Sequence, residues 1–175
     1  MTYEIDSILI TEDQLKQKVK QIGAQMQQDF QDEPFVLIIV LKGAYVFAAD
    51  LIRELEGSVT IDFVAASSYG DQTETTGKVR LLKDIDVNIT GKHVVLVEDI
   101  IDSGLTLSFL MEHFQLHKPK SMKICTLLDK PERRKVDLIA DYVGFVIPDT
   151  FIVGYGIDYA EKYRNLPYIA TVKEA

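Results

Sequence analysis

Residues Phe35-Val-Leu-Ile-Ile-Val-Leu41 form an unbroken apolar run rich in β-branched side chains. A strand of that kind is stable where a sheet is covered on both faces, the arrangement of parallel sheets. His93-Val-Val-Leu-Val97 and Lys123-Ile-Cys-Thr-Leu-Leu128 repeat the pattern. Between them the apolar residues fall at helical spacing: Ala44, Phe47, Ala48, Leu51, Ile52 and Leu55 after the first run, Leu107, Leu110, Met111 and Phe114 after the second. Ahead of all three, Thr11-Glu-Asp-Gln14 reads as a capping box opening a helix with Leu15, Val19, Ile22, Met26 and Phe30 on one stripe, closed by Pro34. Ser58 to Val64 alternates as a strand, and Tyr142 to Ile147 and Phe151 to Val153 are shorter candidates. Buried strands alternating with amphipathic helices predict an α/β fold with a central, mostly parallel sheet flanked by helices. The 175 residues contain no internal repeat and no linker rich in Gly, Ser or Pro, so residues 1–175 read as a single domain.

Several function classes are disfavoured at this level. The longest apolar run has seven residues, against about 20 for a membrane-spanning helix. The N-terminus lacks the basic start and apolar core of a secretion signal, and the single Cys125 excludes an internal disulfide framework. Both point to a cytoplasmic protein. The formal net charge of −8 argues against sequence-independent binding to nucleic acid, which needs excess Lys and Arg, and taken alone it also disfavours a polyanionic substrate.

The segment Ser68-Tyr-Gly-Asp-Gln-Thr-Glu-Thr-Thr-Gly77 has almost nothing to bury, and is expected to be a flexible loop over about residues 68–78. The most informative stretch is Val94-Val-Leu-Val-Glu-Asp-Ile-Ile-Asp-Ser-Gly-Leu-Thr-Leu107. Here a buried strand runs into Glu98 and Asp99, then into Asp102-Ser-Gly-Leu-Thr106 at the start of a helix. Ligands of open α/β sheets bind beyond the carboxyl ends of strands, which is where this loop falls. Gly104 permits close backbone approach, Ser103 and Thr106 offer hydroxyls, and a helix N-terminus holds phosphate without any net positive side chain. Glu98 and Asp99 suit the vicinal hydroxyls of a ribose. The alternative is that Asp102 and Ser103 merely cap the helix while the two acids are solvated. Three carboxylates within five residues are more than capping requires.

Other motifs fail on inspection. Gly70 to Gly77-Lys78 has six intervening residues where a P-loop has four, and Val79 stands where Ser or Thr is needed. Gly154-Tyr-Gly156 lacks the third glycine of a dinucleotide fingerprint. His113 and His117 have zinc-like spacing, but Phe114 replaces the Glu of the metalloprotease motif, so they read as helix-surface histidines. Cys125 lies in an apolar strand and reads as an inert core thiol.

Glu98-Asp-Ile-Ile-Asp-Ser-Gly-Leu-Thr106 after a Val-rich strand resembles the phosphoribosyl-pyrophosphate motif of type I phosphoribosyltransferases. Leu41-Lys-Gly43, Ser68-Tyr69, Leu127-Leu-Asp-Lys130, and Phe151-Ile-Val-Gly-Tyr-Gly-Ile-Asp-Tyr159 followed by Arg164 are similar, in order, to segments of the hypoxanthine (hypoxanthine-guanine) branch. The resemblance spans residues 35 to 169. It implies a type I phosphoribosyltransferase-like α/β fold with a small hood formed by the N-terminal residues and about residues 151–175. It also implies purine salvage, in which 5-phosphoribosyl passes from phosphoribosyl pyrophosphate to N9 of a 6-oxopurine, giving IMP or GMP and pyrophosphate.

The resemblance further assigns roles. Asp102 would be the general base near N7. Glu98, Asp99, Asp102, Ser103, Gly104, Leu105 and Thr106 would bind the phosphoribosyl group. Arg164 and the backbone at Lys42 and Gly43 would bind pyrophosphate, with the Leu41–Lys42 peptide often cis in the family. Lys130 would donate to O6, against the alternative of a solvated lysine in the basic turn Lys130-Pro-Glu-Arg-Arg-Lys135. Phe151 would stack on the base, and backbone groups around Ile152 and Asp158 would meet its pyrimidine edge. Ser68 and Tyr69 would close over the site. Mg²⁺ would neutralise the pyrophosphate, with Asp158 as a ligand and Glu98 and Asp99 as further metal candidates. Ser103 stands where many relatives carry Thr, which keeps the hydroxyl. A homodimer or homotetramer follows from the family, not from any stripe in the chain. The competing reading is a phosphoribosyl-pyrophosphate-sensing regulator that binds nucleic acid, which the charge of −8 disfavours.

Overall fold

The computed structural model describes residues 3–31, 33–69 and 78–174. The elements run β1 (Tyr3–Ile10), α1 (Glu12–Phe30), β2 (Phe35–Leu41), α2 (Tyr45–Arg53), β3 (Val59–Tyr69), β4 (Lys78–Lys83), β5 (His93–Ile101), α3 (Leu105–Gln115), β6 (Ser121–Asp129), β7 (Tyr142–Val146), β8 (Ile152–Val153) and β9 (Ile169–Glu174). Helix α1 opens on the expected capping box, with Gln14 N donating to Thr11 Oγ1 and Thr11 N to Gln14 Oε1, and it buries all five predicted stripe residues. Helix α2 ends at Arg53, two residues short of its last expected apolar position, so Leu55 packs against the core from outside the helix.

Among the described residues the large sheet has the order β4-β3-β2-β5-β6-β7. Strands β3, β2, β5, β6 and β7 are parallel neighbours, and β4 returns antiparallel to β3. The unbroken apolar runs are explained by coverage on both sides. Leu37 and Ile39 of β2, with Val95 and Val97 of β5, face the cluster that contains α1 and α2. Val36, Ile38 and Val40, with Val94 and Leu96, face the cluster that contains α3. Each strand therefore contributes apolar side chains to two cores, and every position must be apolar.

This layout sets the place of the site. The connection from β2 through α2 leads to β3 on one side, while that from β5 through α3 leads to β6 on the other. The carboxyl ends of β2 and β5 are thus a switch point, where the connections diverge and leave a crevice. A second sheet of order β1-β9-β8 joins the two ends of the chain, with Tyr3 opposite Glu174 and Ile10 opposite Ile169. It forms the hood.

Two sequence expectations are corrected. Ser68 and Tyr69 belong to β3, paired with Val79 and Lys78 of β4, so the polar segment is bounded by a hairpin and its remainder, 70–77, lies outside the described residues. The strand continues through Ala65, Ala66 and Ser67 because these residues pair with Lys83, Leu81 and Arg80 of β4. Likewise β5 continues past Val97 to Ile101, because Glu98, Ile100 and Ile101 pair with Thr126, Leu128 and Asp129 of β6. Glu98 and Asp99 are strand residues, held in a fixed pleat.

Candidate active site

At the switch point lies a cavity of about 240 Å³ lined by Val40, Leu41 and Gly43 from the end of β2, Ala66 from β3, and residues 98–104, Thr106 and Leu107 from β5 through the start of α3. Seven predicted site residues are brought together there: Glu98, Asp99, Asp102, Ser103, Gly104, Thr106 and Gly43. Gly43 is required by close approach, since a Cβ there would overlap the Asp99 carboxylate. The Leu41–Lys42 peptide beside it is cis. Leu105 begins α3 and is absent from the lining.

The helix terminus is uncapped by Asp102. The N-cap position of α3 is Gly104, at φ 80°, and no side chain caps in the way Thr11 caps α1. Ser103 Oγ reaches Leu105 N only at 3.4 Å. The positive end of the α3 dipole is thereby directed at the cavity wall, a geometry suited to an anion. Asp102 instead accepts from Arg133 Nε at 2.9 Å, and Arg133 Nη1 also reaches Asp149 Oδ2 at 3.2 Å. The segment after Lys130 clasps the loop through Lys130 N to Ile101 O, Lys135 N to Ser103 O (both 2.9 Å) and Arg134 Nη1 to the Asp102 carbonyl at 3.3 Å. Arg134 also pairs with Asp129. Sequence reasoning passed over Arg133, Arg134 and Asp149. The available signal was a basic cluster directly after Lys130 in a chain of net charge −8.

Lys130 is no solvated lysine. It is 8% exposed, donates from Nζ to Thr150 O at 2.6 Å and lies 3.8 Å from Asp149 Oδ1. Phe151 is half exposed and meets Tyr159 edge to face at 5.5 Å, while Ile152 is buried in β8. On the other rim, Arg164 Nη2 pairs with Asp158 Oδ1 at 2.9 Å and Nη1 donates to Gly156 O at 2.8 Å. Lys42 Nζ contacts Glu161 Oε1 at 3.1 Å. A Cβ at Gly156, where φ is 99°, would overlap the Gly43 carbonyl, so the loop that carries Arg164's acceptor is packed directly on the loop that carries Lys42. None of Lys42, Lys130, Phe151, Ile152, Asp158 and Arg164 lines the 240 Å³ cavity itself. Ser68 and Tyr69 are located by backbone alone, at the end of β3.

Glu98 and Asp99 share the electrostatics of a like-charged, buried pair. Burial, then the neighbouring Asp99 charge, pushes the Glu98 carboxyl well above the ordinary carboxylate range, and burial raises Asp99 as well. In the window between the ordinary and the raised value the folded chain binds the proton more tightly than the unfolded chain, so stability falls as pH rises through it. Glu98→Gln removes that penalty. Its melting temperature should exceed that of the parent at about pH 8, by about 2–4 °C for each kcal/mol relieved, and the gap should close near about pH 4. An equal or lower melting temperature at the higher pH would contradict the account. The remaining candidates are structural: burial pushes the Cys125 thiol up, and His113, on the helix surface, is tied to Asp84 at 2.8 Å. Among the described residues no three His, Cys, Asp or Glu side chains gather into a cage for a metal ion, and the Asp158 carboxylate is engaged by Arg164 and by Glu161 N.

The family model described as phosphoribosyl transferase domain matches residues 7–160, which includes the whole large sheet and the cavity. The chain belongs to the phosphoribosyltransferases. Within that family it is 51% identical to the hypoxanthine-guanine phosphoribosyltransferase of Bacillus subtilis, over all of this chain and 97% of that one. It is 50% identical to the hypoxanthine phosphoribosyltransferase of Escherichia coli over 94% of each chain. A crystal structure of a hypoxanthine-guanine phosphoribosyltransferase from Bacillus anthracis superposes with a TM-score of 0.94 at 68% identity, covering 99% of this chain and 100% of that one. The phosphoribosyltransferase fold and the hypoxanthine-guanine branch expected from the motifs both hold.

Proposed function

We propose that this phosphoribosyltransferase joins the 5-phosphoribosyl group of phosphoribosyl pyrophosphate to N9 of hypoxanthine or guanine, giving IMP or GMP and pyrophosphate. The observation that carries the reading is the cavity at the β2/β5 switch point, which combines an α3 N-terminus, two hydroxyl residues and three carboxylates. The 5′-phosphate sits on the amides of residues 103–106 with the Ser103 and Thr106 hydroxyls, which explains how a chain of charge −8 binds a polyanion: fixed dipoles replace net positive charge. Glu98 and Asp99 accept from the ribose hydroxyls. Asp102 takes the purine proton as N9 attacks, and Arg133 holds its carboxylate in place. Lys130 donates to O6, which adenine lacks, and Phe151 stacks on the ring with Ile152 and Asp158 at the base's edge. Lys42, Gly43 and Arg164 receive the departing pyrophosphate, and Ser68 and Tyr69 close over the reactants to exclude water.

The donor chemistry fits Mg²⁺ as a companion of the substrate. Two adjacent carboxylates, Glu98 and Asp99, are hard oxygen ligands too few to form a cage, and Mg²⁺ is commonly held by one or two carboxylates plus substrate oxygens, with Asp158 as a third candidate. When bound, it neutralises the charge that develops on the leaving pyrophosphate. The same reading places the protein in the cytoplasm, supported by the buried free thiol of Cys125, and takes it as a homodimer or homotetramer on the strength of the family alone. Among the described residues no helix is long and apolar enough to cross a membrane.

The test supplies the protein with phosphoribosyl pyrophosphate, Mg²⁺ and, in turn, hypoxanthine, guanine, xanthine, adenine and uracil, and identifies the nucleotide formed. IMP and GMP are expected. Formation of AMP or UMP in preference to both would reject the assignment of Lys130 and Phe151.

A further inference from the structure

Arg164 and the ammonium of Lys42, whose backbone is assigned above to pyrophosphate, are joined by one carboxylate of the chain itself. Lys42 Nζ lies 3.1 Å from Glu161 Oε1, and Arg164 Nη2 lies 3.3 Å from Glu161 Oε2, so each carboxylate oxygen faces one cation. That is the pattern in which two oxygens of a phosphate group engage two cations.

The backbone around Glu161 is committed to this placement. Tyr159 and Lys162 close a tight turn through Tyr159 N to Lys162 O at 3.2 Å and Lys162 N to Tyr159 O at 2.9 Å. Both central residues, Ala160 at φ 49° and Glu161 at φ 62°, lie in the left-handed region that glycine and asparagine usually occupy. Asp158 Oδ2 accepts from Glu161 N at 2.8 Å and pins the turn at its head. Strained turns of this kind persist where their surroundings over-determine them, and such positions concentrate at functional sites. Glu161 itself is 66% exposed, so its side chain can swing into solvent without burying or stranding a charge. Exposed ion pairs are weak enough to be displaced by a multiply charged ligand.

We propose that Glu161 is an internal competitor of pyrophosphate for Lys42 and Arg164, lowering the affinity of that subsite so that the product leaves. This rests on the assignment of Arg164 and the Lys42–Gly43 backbone to pyrophosphate, and adds the Lys42 ammonium to that subsite. A competitor differs in sign from a structural strut. Removing a strut loosens the subsite and weakens binding, whereas removing a competitor strengthens it.

The measurement is calorimetric titration of the full chain with pyrophosphate in the presence of Mg²⁺, together with steady-state kinetics. Glu161→Gln is expected to bind pyrophosphate about 3- to 10-fold more tightly, the range that two exposed pairs supply. Its KM for phosphoribosyl pyrophosphate should fall in parallel while KM for hypoxanthine stays within about twofold, and the gain should shrink as salt rises. Glu161→Asp, which keeps the charge, should return toward the parent value. Pyrophosphate affinity that is unchanged or weaker in Glu161→Gln overturns the proposal. Arg164→Gln separates this failure from failure of the underlying assignment. A loss of at least about tenfold in pyrophosphate binding is expected, and binding equal to the parent would remove Arg164 from the subsite and the proposal with it.

Discussion

Asp102→Asn is expected to lower kcat for IMP formation by about 10²- to 10⁴-fold, the range that a positioned general base contributes. The substitution keeps the volume of the side chain and leaves an oxygen to accept from Arg133 Nε, which now sits 2.9 Å from Asp102 Oδ1. The clasp around it is built on backbone groups, Lys135 N to Ser103 O and Arg134 to the Asp102 carbonyl, and neither depends on the carboxylate. What an amide lacks is a lone pair basic enough to take a purine proton. KM for phosphoribosyl pyrophosphate should therefore stay within a few-fold, and the loss should appear in single-turnover chemistry. Turnover within a few-fold of the parent would remove Asp102 from the proposed role.

Lys130→Met is expected to reduce kcat/KM for hypoxanthine by about 10- to 150-fold, because a hydrogen bond to a charged donor contributes about 1.5–3 kcal/mol. Lys130 is buried, and its ammonium is oriented by the Thr150 carbonyl at 2.6 Å and by Asp149. Methionine keeps the length of the side chain and loses the donor. The informative readout is the ratio of hypoxanthine to adenine turnover, which should narrow, since adenine has no O6 to lose. An equal fall for both bases would mean that Lys130 supports the pocket and does not read the substrate. The fold itself should survive, because removing a buried charge offsets part of the lost hydrogen bond.

These two residues illustrate what could be read from the chain. Asp102 was legible because it stands among three carboxylates at the end of a continuously apolar strand, a local pattern. Lys130 was ambiguous: its neighbours Arg133, Arg134 and Lys135 make it look like part of a solvated basic turn. Its burial comes from contact with Thr150, twenty positions away. The buried strands β2, β5 and β6 were recognisable because two-sided coverage favours apolar residues at successive positions, with buried Thr126 satisfied by donating to Leu128 O. Strands β1 and β9 were not: β1 is exposed along most of its length, β9 is buried only at Ile169 and Ala170, and their pairing joins residues 3–10 to residues 169–174. Nor could local pattern show that Ser68 and Tyr69 extend β3, because this polar end of the strand runs past its pairing with β2 and carries no apolar period.

Order along the chain is thus enough to define the α/β class, the loop from Glu98 to Thr106, and the phosphoribosyltransferase resemblance, because periodicity and motif spacing are properties of neighbouring residues. Three things come from folding alone. The switch point sets Gly43 against Asp99 with no room for a Cβ. The segment after Lys130 folds back to place Arg133 on Asp102, 31 positions apart. The turn at Ala160 and Glu161 carries a carboxylate to Lys42 across 119 positions. Charges and glycines gain such partners through sheet order and register, which depend on the packing of two cores and are encoded in no single stretch of the chain.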